Sequence, residues 1–301
     1  MKIHHKLEGL IAATFTPLDS NGEVNLSVID TYADKIAASG IAGVFINGTT
    51  GESLSLTVSE RKMLAVKWIE AANKRFKVIV HVGCNSLPEA KELAAHAQLV
   101  GADAIAAMAP SFFKPQHVKS LIDFFVPIAQ SASDLPFYYY NMPSMTGVAL
   151  SVPEFLREGK KRIPNLAGTK FTHNNLMEMA ECLALEHGAF EVLHGYDEIL
   201  ITGLSLGATA GVGSTYNYLP EVYLGIIEAM KSNDIEKARE LQMRSIEVVE
   251  IIIKYGGGVR GGKAIMNLIG VECGSCRLPI DPFTAEEYAS LEKDLKEINF
   301  L

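Results

Sequence analysis

Lys170 is the one charged residue in the run Leu-Ala-Gly-Thr-Lys-Phe-Thr at positions 166–172. Alternation along a strand places Gly168, Lys170 and Thr172 on a common face, and Gly168 is expected to leave room there. An apolar enclosure disfavours the ammonium form of an amine. The neutral amine attacks a ketone and forms a Schiff base. A plainer reading is a strand-end lysine that reaches water along its stem or pairs with a carboxylate. Tyr140 weighs against that reading. In Pro-Phe-Tyr-Tyr-Tyr-Asn-Met-Pro at 136–143, Tyr138 and Tyr140 share one face and Tyr139 takes the other. A phenol at the inward end of the neighbouring strand can relay protons to a lysine adduct. Aromatic packing explains one or two of these tyrosines better than all three.

Two further groups suit a polar, anionic ligand. Ile-Asn-Gly-Thr-Thr-Gly-Glu at 46–52 ends a strand in a glycine-flanked turn carrying the hydroxyls of Thr49 and Thr50. Exposed N–H groups and hydroxyls of this sort bind a carboxylate without an arginine, although the same residues also make ordinary turns. Asp197 and Glu198 follow another strand. They could accept hydrogen bonds from sugar hydroxyls, or simply place negative charge in the first turn of a helix.

Other motifs carry less. Cys273 and Cys276 have redox or zinc spacing, but no second Cys/His pair stands near them. Gly256-Gly257-Gly258 lacks the preceding strand of a dinucleotide loop and the Lys-Ser/Thr of a phosphate loop. The eight histidines show no metal-ligand spacing, and His4-His5 reads as a solvated terminus.

Something must hold these groups together. Short apolar runs at 10–14, 43–47, 78–83, 104–109, 137–141, 166–172, 191–195 and 208–214 read as strands buried on both faces, as parallel sheets require. Helical patterns alternate with them at 26–39, 59–75, 87–100, 118–131, 151–157, 174–187, 198–206 and 219–231. The first opens near Asn25 as a plausible cap, and the second opens with hydroxyls that can satisfy its free N–H groups. Strict alternation fits a closed (β/α)8 barrel better than an open sheet, so the chain is expected to be an α/β protein of TIM-barrel type. Residues 1–232 are expected to form the barrel. Residues 233–301 are expected to add C-terminal helices packed on it as part of one structural unit. That tail reads as a long amphipathic stretch at 235–254, a glycine-rich loop at 256–262, and helices at 263–269 and 285–298. In such a barrel, reactive groups stand at the C-terminal strand ends, where Asn47, Thr49, Thr50, Glu52, Tyr140, Asn141, Lys170, Thr172, Tyr196, Asp197, Glu198, Ser214 and Thr215 all fall.

Composition narrows the partners. The chain has 301 residues, a net charge of −8 and a pI near 5.5, with no basic stripe to meet a nucleic-acid backbone. No uncharged apolar run reaches the length of a membrane span. Glu8 falls where a signal peptide would need its apolar core. Four scattered cysteines make no disulfide framework. A cytoplasmic location is expected.

Gly-Thr-Thr-Gly-Glu (48–52), Tyr-Asn-Met-Pro (140–143), Gly-Thr-Lys-Phe-Thr (168–172), His-Gly-Tyr-Asp-Glu (194–198) and Gly-Ser-Thr-Tyr-Asn (213–217) occur in that order. Together they resemble the pyruvate-dependent class I aldolases of the dihydrodipicolinate synthase / N-acetylneuraminate lyase family, over about residues 8 to 298. The resemblance implies a (β/α)8 barrel with C-terminal helices, usually a homotetramer, with no metal or organic cofactor. It implies that Lys170 forms the Schiff base with C2 of a 2-oxo acid. Thr49 and Thr50 would bind the pyruvate carboxylate, and Tyr140 would accept the C4 hydroxyl proton during retro-aldol cleavage. Thr172, Gly195, Asp197, Glu198 and Ser214 would hold a hydroxylated tail. Synthases of this family carry an arginine where this chain has Met145, and a tyrosine pair where it has Ser111 and Phe112. These departures favour a sugar acid, N-acetylneuraminate, cleaved to N-acetylmannosamine and pyruvate. Another 2-oxo-acid aldolase or dehydratase on the same lysine is the alternative. A non-catalytic sugar-acid binding protein has no need of an amine beside a phenol, and a phosphate-binding isomerase lacks a suitable acid/base pair here.

Overall fold

The computed structural model describes residues 6–301, so the expectation for His4-His5 lies outside the described residues. Eight strands close a parallel barrel in sequence order: β1 (Gly9–Ala13), β2 (Gly43–Ile46), β3 (Lys77–His81), β4 (Ala104–Met108), β5 (Phe137–Asn141), β6 (Leu166–Phe171), β7 (Glu191–His194) and β8 (Ala210–Gly213). β8 pairs back onto β1, with Leu10 beside Gly211. No strand edge is left to solvent. Every strand falls on its expected run to within two residues at each end; β1 and β3 begin one residue earlier than expected, and β5 coincides with its run.

The crossovers are α1 (Val28–Ala38), α2 (Val58–Ala72), α3 (Leu87–Val100), α4 (Val118–Gln130), a one-turn α5 (Pro143–Thr146), α6 (Val152–Gly159), α7 (Leu176–Ala184), α8 (Leu200–Ser205) and α9 (Pro220–Lys231). Thr57 caps α2 in a reciprocal box with Glu60, as its hydroxyl-rich start suggested. Asn25 does not cap α1. Its side chain accepts from the Ser27 N–H at 3.2 Å and hydroxyl at 2.6 Å, and so shapes the turn before the helix. Alternation along the strands produces two apolar layers. Inward residues such as Ile11, Phe45, Ile79, Ala106, Tyr138 and Leu193 fill the barrel. Outward residues pack against the helices in a larger core.

The tail is α10 (Ile235–Lys254), α11 (Gly257–Leu268) and α12 (Ala285–Glu297). The glycine-rich loop expected at 256–262 is a helix instead. Gly256 turns the chain at φ 94, and α11 begins one residue later. Its glycines serve close approach rather than flexibility. A Cβ on Gly261 would lie 2.8 Å from the Ile252 carbonyl oxygen, and one on Gly262 would lie 2.7 Å from the Phe15 ring. Gly168 corrects the sequence reading in the same way. A Cβ there would lie 1.8 Å from the Glu191 carbonyl oxygen, so the glycine lets β7 press against β6 and leaves no room beside Lys170.

Candidate active site

Lys170 ends β6 between Tyr140 on β5 and Leu193 on β7. It is buried, and Nζ lies 4.1 Å from the centre of the Tyr140 ring and 4.5 Å from that of Phe45. No carboxylate forms an ion pair with it among the described residues, so the plainer salt-bridge reading does not hold. An amine held against aromatic faces without a counter-ion is available for reaction.

The Tyr140 ring packs edge-on against Phe45 and His81, at centroid distances of 5.5 and 5.8 Å. Its hydroxyl lies 3.3 Å from Thr49 Oγ1 and 3.1 Å from Met142 Sδ. The phenol therefore stands where the Lys170 strand end meets the Thr49–Thr50 turn. Thr50 is half-buried on that turn. Two non-glycine residues in the left-handed region bracket it, Asn47 at φ 58 and Glu52 at φ 57.

Reading the sequence missed what holds Asn47. His81 ends β3 on the inward face, buried beside Tyr140. The Asn47 carbonyl can only accept, so His81 Nδ1 donates to it at 2.9 Å. The Met108 N–H can only donate, so Nε2 accepts from it at 3.3 Å. Both bonds require the neutral ring, and burial beside the Arg61 cation holds its pKa well below the usual histidine value. Arg61, itself buried, donates to the His81 carbonyl at 2.8 Å, and its own carbonyl accepts from Asn47 Nδ2 at 2.9 Å. A histidine closing an otherwise apolar strand was the available signal.

The other side of the mouth is built by β6, β7 and β8. Thr172 Oγ1 is buried without a hydrogen-bond partner. A Cβ on Gly195 would lie 2.0 Å from it. An orphaned buried hydroxyl is costly, and a ligand hydroxyl relieves it. Asp197 and Glu198 stand in a single 3-10 turn ahead of α8, not inside that helix. Asp197 Oδ2 accepts from the Thr215 N–H at 2.8 Å and hydroxyl at 2.7 Å. Its Oδ1 lies over Gly213, where a Cβ would fall 1.9 Å away. Burial raises the Asp197 pKa against those bonds, and burial next to Asp197 raises that of Glu198. Glu198 has no neighbouring side-chain partner among the described residues. Half-buried Ser214 faces the start of α11, with its hydroxyl 3.5 Å from a Cβ built on Gly258. Ser111 and Met145 meet at a cavity of about 200 Å³ that also touches Thr49, Cys84 and Met108. Neither supplies a cation there.

His194, on the outward face of β7, is fully buried, and neither ring nitrogen has a well-formed hydrogen bond. Burial pulls its pKa down to about 4, against weak opposition from the Ile199 and Tyr196 backbone. The unfolded chain takes this proton near pH 6.5, whereas the folded chain refuses it until about 4. Stability from this group is therefore complete above about pH 6.5 and lost as pH falls toward 4. Urea unfolding should show the wild type losing about 2 kcal/mol more than His194→Leu between pH 7 and pH 5. Equal losses, or a His194 resonance titrating near 6.5, would contradict this assignment.

A closed (β/α)8 barrel that sets a buried lysine, free of any ion pair among the described residues, against a tyrosine on the adjoining strand is the architecture of a Schiff-base aldolase. The chain belongs to the Dihydrodipicolinate synthetase family, which it matches over residues 6–298. It is 44% identical to the N-acetylneuraminate lyase of Rattus norvegicus over 300 residues, covering 98% of this chain and 94% of that one. The Proteus mirabilis N-acetylneuraminate lyase structure superposes with a TM-score of 0.95 at 38% identity, covering 99% of this chain and all of that one. A Ruminococcus gnavus structure, described as a sialic acid aldolase catalytic lysine mutant, superposes with a TM-score of 0.91 at 27% identity, covering 97% of this chain and 95% of that one.

Proposed function

We propose that this protein reversibly cleaves N-acetylneuraminate to N-acetylmannosamine and pyruvate through a Schiff base on Lys170. The observation that carries this is Lys170 Nζ lying against the Tyr140 ring, with the phenol 3.3 Å from Thr49. Relatives named as lyases and a sialic acid aldolase with a catalytic lysine support the same reading. Nζ attacks the C2 ketone and water leaves, giving an iminium. Thr49, Thr50 and the turn's N–H groups hold the C1 carboxylate. Tyr140 takes the C4 hydroxyl proton as the C3–C4 bond breaks, and its electrons enter the iminium to form an enamine. The aldehyde departs, C3 is reprotonated, and hydrolysis frees pyruvate and the amine. The nitrogen cation is the electron sink in these steps.

Thr172, Gly195, Asp197, Glu198 and Ser214 form the subsite for the hydroxylated tail. Glu198, whose carboxylate bonds only to its own backbone N–H among the described residues, tests this subsite cleanly. Glu198→Gln should lower kcat/KM for N-acetylneuraminate by about 10- to 100-fold, the worth of a charged hydrogen bond. Pyruvate imine formation and the melting temperature should stay at wild-type values. Asp197→Ala should lower kcat/KM too, but also stability, because Thr215 loses both its bonds. Unchanged kcat/KM in both variants would remove the acids from the substrate site.

The direct experiment incubates the protein with N-acetylneuraminate and borohydride. It looks for a pyruvyl adduct and released N-acetylmannosamine. Faster condensation of aspartate semialdehyde with pyruvate would replace the lyase reading, since Met145 offers that second carboxylate no cation. We also read the chain as a cytoplasmic homotetramer, with barrel 1–232 and extension 233–301 forming one unit. Exposed Phe112 and Phe113, stacked edge-on at 4.9 Å, support burial against another copy. Four free cysteines suit a reducing compartment. No helix among the described residues is long and apolar enough to cross a membrane.

A further inference from the structure

The turn that carries Thr49 and Thr50 is pinned from outside the barrel. Glu52 closes it: the Glu52 N–H donates to the Thr49 carbonyl at 3.0 Å while its own backbone sits at φ 57. Left-handed geometry is uncommon for a residue with a side chain, so something must hold it there. Its carboxylate is buried and bonded to the C-terminal extension. Oε1 accepts from Lys263 Nζ of α11 at 2.7 Å, with both side chains only 1% exposed. Oε2 accepts from the Arg277 N–H at 2.7 Å, and Lys263 Nζ also donates to the Ser275 carbonyl at 2.8 Å. One buried cation thus ties the turn to two segments of the C-terminal extension.

We propose that Lys263 is a positioning residue for the carboxylate subsite, acting through Glu52 to hold the Thr49–Thr50 turn in its binding conformation. The proposal rests on the reading that those threonines bind the 2-oxo-acid carboxylate. A buried ion pair is weak support for stability in itself, and its better-attested use is to select one conformation. With the cation gone, the buried Glu52 carboxylate has no counter-charge and keeps only uncharged donors, the Arg277 N–H and the Cys276 thiol. Without the tie to α11, residue 52 leaves the left-handed region whether it carries a carboxylate or an amide, and Thr49 and Thr50 move with it. Lys263 itself lies outside the reacting centre.

The test pairs folding with pyruvate capture. Lys263→Met with Glu52→Gln removes both charges together, so neither is stranded in the interior, and the double variant should fold with wild-type circular dichroism. The pyruvate concentration for half-maximal borohydride trapping should rise at least about tenfold, while kcat for N-acetylneuraminate at saturation falls by less than about threefold. Lys263→Arg, which keeps the cation, should restore half-saturation to within about threefold of wild type. A folded double variant that traps pyruvate at wild-type concentrations overturns the proposal, and so does a loss confined to kcat. Thr49→Val is the separate control. If it leaves pyruvate half-saturation unchanged, the carboxylate reading itself fails, whatever Lys263 does.

Discussion

Lys170→Ala is expected to lose essentially all turnover while keeping the fold. The two halves of that expectation have different physical sources. Turnover is lost because no other amine among the described residues lies against Tyr140 and Phe45 to form the imine, and an enzyme without its covalent step retains only what binding supplies. The fold survives because Lys170 forms no ion pair among the described residues, and its contacts are with aromatic faces. Removing it breaks no ion pair, the usual source of a large destabilisation, and takes from buried Asp197 only the field of the ammonium. Borohydride with pyruvate should label wild-type protein on the peptide containing Lys170, and the variant should show no label. Labelling of another lysine, or steady turnover by Lys170→Ala, would dismiss the Schiff-base mechanism.

The second large effect separates capture of the substrate from bond cleavage. Tyr140→Phe removes a hydroxyl and keeps the ring that packs on Phe45, His81 and Lys170. The pyruvate adduct should therefore still form, more slowly. Carbon–carbon cleavage should fall by about 10²–10⁴-fold, the usual worth of a positioned acid or base. Single-turnover quench experiments with N-acetylneuraminate distinguish the two steps: adduct should accumulate before N-acetylmannosamine appears. Cleavage near the wild-type rate would move the proton transfer elsewhere, with Ser111 or the substrate carboxylate next to be tested. The phenol's contacts with Thr49 and Met142 make a further point. Losing them costs the turn an anchor, so a modest rise in pyruvate half-saturation should accompany the rate effect.

Much of the barrel was legible before any coordinates. Parallel strands buried on both faces are mostly apolar, so eight short, largely apolar runs alternating with amphipathic stretches admit few arrangements. A lone charge within one such run stands out for the same reason, which is why Lys170 could be singled out from residue types. Alternation also put Tyr140 on the correct face, because side-chain direction in a strand has a period of two.

Glycines misled where their neighbours in space mattered. Gly168, Gly261 and Gly262 read as space or loop, yet they mark places where β7, Ile252 and Phe15 come too near for a Cβ. Local sequence has no term for such contacts. His81, Arg61 and Lys263 went unnoticed because their partners lie far along the chain: Lys263 meets Glu52 across 211 residues. Nor did neighbouring positions reveal that Asp197 is half committed to Thr215 while Glu198 bonds no other side chain among the described residues.

By itself, then, the sequence determined the periodicities that close the barrel and the residue types able to form an imine and move a proton, since both follow from local chemistry. Only the tertiary structure decided that Lys170 forms no ion pair among the described residues, that the Thr49–Thr50 turn is held in a left-handed bracket, and that a neutral histidine from β3 and buried cations from α2 and α11 hold it. Those outcomes depend on which distant side chains arrive within hydrogen-bond reach, and closure of the barrel and docking of the tail set that reach.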